Sequence, residues 1–99
     1  MSVLGMIEKQ PVEERFFDVV VSQDLMSGDA VDSATAAVAC ITDPADTALS
    51  ATVTAVAPTQ VRVFVEGGTD GRKYKVTTTT STAMGEVFQD EVLIKVKDR

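Results

Sequence analysis

Over residues 49–57 the chain alternates strictly. Leu49, Ala51, Val53 and Ala55 fall on one side of an extended backbone, and Ser50, Thr52 and Thr54 on the other. A period of two predicts a half-buried β-strand. It recurs over residues 60–66, where Val61, Val63 and Val65 face inward, Arg62 and Glu66 face outward, and Phe64 joins the outer set. Residues 16–22 set Phe17, Val19 and Val21 against Phe16, Asp18 and Val20. Residues 87–97 set Val92, Ile94 and Val96 against Lys95 and Lys97.

Two more strands complete a set of six candidates. Residues 72–81 precede the last strand and form a hairpin with it, closed around Ala83-Met84-Gly85, where Gly85 can take positive φ. Residues 30–41 are rich in small side chains, which let two sheets approach closely. Residues 34–39 also suit a helix, but Thr35, Val38 and the neighbouring strands favour β. Between the strands lie turn signals: Ser27-Gly28-Asp29, residues 42–46 with Pro44, Pro58-Thr59, and the strongest, Gly67-Gly68-Thr69-Asp70-Gly71. In the first connection, Leu25 is placed to anchor the core. Strands at near-regular spacing with turns between them predict a sandwich or a barrel.

Tyr74 favours the sandwich. It follows Asp70-Gly71 at the start of the penultimate strand, where immunoglobulin-like domains often keep a tyrosine whose ring packs in the core while its hydroxyl bonds backbone near the turn. The expected fold is therefore all-β, an immunoglobulin-like antiparallel β-sandwich of about seven strands with an extended N-terminal arm. Residues 1–14 are the arm and residues 15–99 the sandwich domain. Gly67, Gly68, Gly71 and Tyr74 are its structural turn and corner.

In the arm, Gly5 and Pro11 interrupt the chain, charges follow, and neither helical nor strand periodicity persists. Its apolar residues Val3, Leu4, Met6 and Ile7 allow two readings: a frayed terminus, or a segment that docks on a neighbouring subunit.

Composition narrows the function. Sixteen valines and twelve threonines suit pleated strands. A net charge of −6, with scattered cations, argues against nucleic acid, because binding phosphates needs clustered Lys and Arg. One cysteine, Cys40, forbids an internal disulfide and sits in an apolar run as a small buried hydrophobe. The start lacks the basic region and apolar length of a signal peptide, and no segment approaches the ~20 apolar residues of a membrane helix. Synthesis in a cytoplasm and no membrane partner are the expectation.

Chemistry is sparse. Without histidine, Ser-His-Asp and Cys-His nucleophile systems and His-containing zinc sites are excluded, and one cysteine cannot build a thiolate cluster. Gly-Gly-Thr-Asp-Gly lacks the Gly-Lys-Ser/Thr of a phosphate loop. The carboxylate pairs Asp43/Asp46, Asp29/Asp32 and Asp90/Glu91 lack the alternating oxygen ligands of a calcium loop and read as solvated turns. No catalytic, cofactor-binding or metal residue is expected, and the chain is not expected to be an enzyme. The run Thr77-Thr78-Thr79-Thr80 reads as a strand with one face buried.

Several ordered pieces carry a family resemblance. Glu8-Lys9-Gln10-Pro11 is followed by Phe17-Asp18-Val19, by Ser22 and Leu25, and by a Gly28-Asp29 turn before a small-residue strand. Residues 61–65 lead into Gly67-Gly68-Thr69-Asp70-Gly71 and Tyr74-Lys75-Val76-Thr77, and Ile94-Lys95-Val96 closes the set. From Glu8 onward the chain resembles the small phage proteins called fibre–tail adaptor proteins. Members commonly carry a tryptophan where Asp24 stands here. The resemblance implies an immunoglobulin-like virion protein without catalytic or cofactor residues, an adaptor joining tail or neck components to fibres. Its implied partners are other virion proteins of the tail, neck or capsid, met in many copies in a symmetric assembly. A capsid decoration protein is the alternative. A carbohydrate-binding module, stacking sugars on Phe16 and Phe64, is a lesser one.

Overall fold

The computed structural model describes residues 2–23 and 25–98, with side chains from Gly5 onward. Asp24 lies outside the described residues. Seven strands run in chain order: β1 (Ser2–Lys9), β2 (Arg15–Val20), β3 (Val31–Cys40), β4 (Leu49–Ala57), β5 (Gln60–Gly67), β6 (Lys73–Thr82) and β7 (Val87–Val96). They form two sheets, one ordered β1-β7-β6-β3 and the other β2-β5-β4. Lettered A to G along the chain, the sheets contain G-F-C and B-E-D, the arrangement of an immunoglobulin-type sandwich, with strand A beside strand G. Residues 34–39 are strand throughout. Small side chains fit the flank where β3 meets β4, and pairing with β6 overrides their helical propensity.

The inner faces are the apolar stripes read from the sequence. Val19, Val21, Val61, Val63, Val65, Val76, Val92, Ile94 and Val96 are buried together with Cys40, Leu49 and Tyr74, and Phe17 and Leu25 pack partly buried against them. Packing these stripes face to face removes apolar surface from water at about 25 cal/mol per Å², the main term holding the two layers together. Towards the far end of β6 the inner face turns polar. Thr78, Thr80 and Thr82 are buried there beside Asp90, and Thr78 Oγ1 donates to the Asp90 carbonyl at 3.4 Å.

β4 departs from strict alternation. A bulge between Val53 and Ala55 shifts the register, so Ala55 sits opposite Arg62 and faces solvent rather than sharing the inner face with Leu49, Ala51 and Val53.

The first segment also differs from the expectation of an arm without lasting strand periodicity. Ser2–Lys9 is strand β1, paired in parallel with β7 from Ser2 opposite Asp90 to Lys9 opposite Val96. The register slips between Val3 and Gly5, and Gly5 holds φ 147°, which breaks any local period of two. The partner strand is more than eighty residues away in sequence, so no local pattern announces the pairing. Residues 10–14 turn the chain over to β2 through a Glu13 N–H to Gln10 carbonyl bond of 3.0 Å.

Candidate functional site

Three places concentrate polar or exposed side chains: the corner around Tyr74, the flank between β1 and β2, and the outer face of the three-stranded sheet.

The corner is built where β5 leaves one sheet and β6 enters the other. The chain makes that crossing through glycines: Gly67, Gly68 and Gly71 hold φ of 80°, 101° and 85°. The Tyr74 ring is fully buried. Its hydroxyl accepts the Thr69 N–H at 2.8 Å and donates to Asp46 Oδ2 at 2.9 Å. Asp46 Oδ1 accepts the Ala48 N–H at 2.7 Å, and Arg72 reaches Oδ2 at 2.7 Å while also pairing with Asp43 at 2.8 Å. A single carboxylate thus ties the β3–β4 loop to the turn before β6. Its side chain is only 3% exposed. The Asp43/Asp46 pair is not a solvated turn in the sense expected, because Asp46 is drawn inward by these donors.

Asp46 is held well below the usual carboxylate range, at about 2 instead of 3.8. The Ala48 N–H is the main cause, acting against desolvation and helped by Thr69, Tyr74 and Arg72. The folded value lies below the unfolded one, so this group's contribution is complete above pH 3.8 and is lost as pH falls through about 2. Urea unfolding midpoints measured from pH 7 to pH 2 should therefore show a drop in this acid window. Asp46→Asn should be less stable than the parent at pH 7 and converge towards it near pH 2. A gap that stays constant with pH would mean that the charge of Asp46 does not matter.

Lys9 was not singled out by sequence reasoning as more than part of a motif. It ends β1 with its side chain fully buried, and its ammonium donates to the carbonyls of Gly67, Gln10 and Pro11. It bridges the last residue of β1 to the last residue of β5 and so joins the two sheets beside the corner. Burial lowers its pKa, and nearby Glu13 opposes this. A lone lysine before Gln-Pro carries no pattern that would betray such burial.

Asp29 also works inward. Its Oδ1 accepts the N–H of Ala30 at 2.8 Å and of Met84 at 3.0 Å, clipping the β6–β7 turn to the loop before β3. Desolvation pushes its carboxyl up, but hydrogen bonds from Thr82, Ala30 and Met84 outweigh this and bring it below its ordinary value. Asp90 and Glu91 are likewise not solvated: they are 4% and 9% exposed, and Glu91 pairs with Lys75 at 3.1 Å. These carboxylates brace the fold. No group of three or more His, Cys, Asp or Glu side chains that could hold a metal occurs among the described residues.

On the open flank, β1 and β2 border a shallow groove of about 190 Å³ lined by Gly5, Met6, Ile7, Phe17, Asp18 and Val92. Met6 is 54% exposed, while Ile7 packs partly into the core. Val3 and Leu4 share β1, and their side chains lie outside the described residues. Of the four arm residues, two are thus split between the solvent side and the core side of one strand.

The outer face of β2 and β5 carries an aromatic pair. Phe16 lies opposite Phe64 with ring centroids 5.0 Å apart and planes inclined by 50°. The Arg62 guanidinium stands 5.7 Å from the Phe16 centroid and bonds Asp18 at 3.0 Å. Phe16 remains 57% exposed.

Residues 9–95 match the family model described as Podophage GP4 fiber-tail adaptor protein gp77. The chain belongs to this family. The matched region of the fibre–tail adaptor spans β2 to the end of β7 almost complete, and of β1 it includes only Lys9. Both the Lys9 bridge and the Tyr74 corner fall within it. A search of curated proteins returns no match. The fibre–tail adaptors are structural proteins of phage particles, so the exposed surfaces are the places where function is to be sought.

Proposed function

We propose that this chain is a non-enzymatic virion part that joins tail or neck components to fibres through protein–protein contacts, repeated in several copies. The observation that carries the reading is the family match over residues 9–95. The structure supports it in kind: the carboxylates and the buried lysine are spent on bracing turns, while apolar and aromatic groups stand on outer surfaces. The β1–β2 flank, with Met6, Ile7 and the neighbouring Val3 and Leu4, is our proposed contact for one neighbour. The corner of Gly67, Gly68, Gly71 and Tyr74 keeps the domain rigid behind it. Rigidity matters because repeated weak contacts add up only when all can be engaged together.

Particles made without this protein should keep their tails and lose their fibres. Gold labelling of a tag after residue 99 should mark the fibre–tail junction. Label spread over the head surface would reject the adaptor reading in favour of a decoration protein.

A further inference from the structure

Charge is distributed unevenly over the molecule. None of the 15 acidic and 9 basic residues falls within residues 33–42 or 47–61. The first stretch holds most of β3 and the second all of β4. β3 is the outer strand of the four-stranded sheet and β4 the outer strand of the three-stranded sheet. The two edges lie on the same side of the sandwich. Apart from Asp32 at the start of β3, this flank is free of charge, faced by Thr35, Ala37, Ala39, Ala55 and the exposed side chains of Ile41 and Val56.

Sheet edges present unpaired N–H and C=O groups, and soluble proteins usually guard them with charges, breaks in register or shortness. Three of the four edges here are guarded. β1 has the Gly5 irregularity and Glu8, β2 is six residues long with Arg15 and Asp18, and β4 is kinked by its bulge. In β3 the register shift, between Val31 and Ser33, and the one charge, Asp32, both sit at the start of the strand. From Ser33 to Cys40 its pairing with β6 runs without a break, and none of these residues carries a charge.

We infer that β3 is the contact by which two copies of this chain associate, edge to edge and antiparallel about a two-fold axis, merging two four-stranded sheets into one of eight strands. The occupant is a second copy because of the charge. At −6, two copies repel each other overall, and the uncharged run of this flank is where they can meet with fewest like charges opposed. A strand that pairs antiparallel with itself is also self-complementary, as an isologous contact requires. The size is sufficient. Residues 33–40 span about 26 Å at 3.3 Å per residue, and the molecule is 18–21 Å across its shorter axes, which gives about 500 Å² per copy, or about 1,000 Å² in all, the lower bound of a specific interface. The inference stands on this charge pattern alone and is independent of where the protein sits in a particle.

Sedimentation equilibrium of the full chain over micromolar to millimolar concentration tests it. The mass should rise from 10.5 kDa towards twice that value. Thr35→Lys places a charge on the outer side of β3 and should weaken the dimer at least about tenfold, because two copies of it would approach across the axis. Gln89→Lys adds the same charge on exposed β7, away from the flank, and should leave the constant unchanged. Circular dichroism of each variant checks that the strands persist, and Ala37→Lys serves as the second probe should Thr35→Lys fail to fold. A chain that stays monomeric at millimolar concentration, or a dimer indifferent to both edge lysines, would overturn the inference.

Discussion

Gly67→Ala should be the most damaging single-methyl change in this protein, lowering stability by about 3 kcal/mol or more. Gly67 ends β5 with φ 80°, a region where a β-carbon costs about 1–2 kcal/mol by itself. The added methyl would also overlap the Ala48 carbonyl oxygen, which is backbone and cannot swing aside. That oxygen already accepts the Gly68 N–H at 3.1 Å, and the Gly67 carbonyl accepts from Lys9, so any shift disturbs the entry to β4 and the bridge from β1 together. Gly71→Ala is the internal control. Its φ of 85° imposes the same conformational cost, but open space surrounds the position, and a loss of about 1 kcal/mol is expected. Urea unfolding of the two variants separates overlap from conformation. Equal losses would show that the Ala48 contact contributes nothing.

Tyr74→Phe should lower stability by about 2 kcal/mol, which for a chain of this length moves the melting temperature down by roughly 8–16 °C. The ring and its packing remain. What is lost is one oxygen that serves two partners, the Thr69 N–H and the Asp46 carboxylate. Both are left short of a partner in a poorly hydrated corner, which costs more than one hydrogen bond between neutral groups. Tyr74→Ala adds a cavity and should cost a further amount of the size seen for other aromatic truncations, about 3–5 kcal/mol in total, enough to leave a small domain largely unfolded. The Asp46→Asn and Tyr74→Phe changes share a bond, so their double variant should lose less than the sum of the two. Strict additivity would argue against the hydroxyl–carboxylate link.

Much of this architecture is readable in residue order because sheet formation imposes a period of two. Val61, Val63 and Val65 opposite Arg62, Phe64 and Glu66 give the faces of β5 directly, and the same holds for β2 and β7. What escapes are features decided at a distance. The bulge in β4 reverses Ala55, and nothing in Thr-Ala-Val distinguishes a bulged residue from a paired one. β1 pairs with a strand at the other end of the chain, and Gly5 hides its alternation. Lys9 and Asp46 look like ordinary surface charges. Their burial depends on carbonyl and N–H groups brought in from β5, β4 and the turn before β6. Composition announced the absence of histidine chemistry, but which acids face solvent was a matter of tertiary structure.

The parallel alignment of β1 with β7 has a mechanical consequence. Ser2 lies beside Asp90 and Lys9 beside Val96, so Ser2 and Val96 sit at opposite ends of a ladder about 20 Å long. Tension applied between those ends would slide the first strand along the last, loading all their cross-strand hydrogen bonds at once instead of peeling them one by one. A domain strung between two larger bodies in this way resists extension far better than one pulled from a hairpin end.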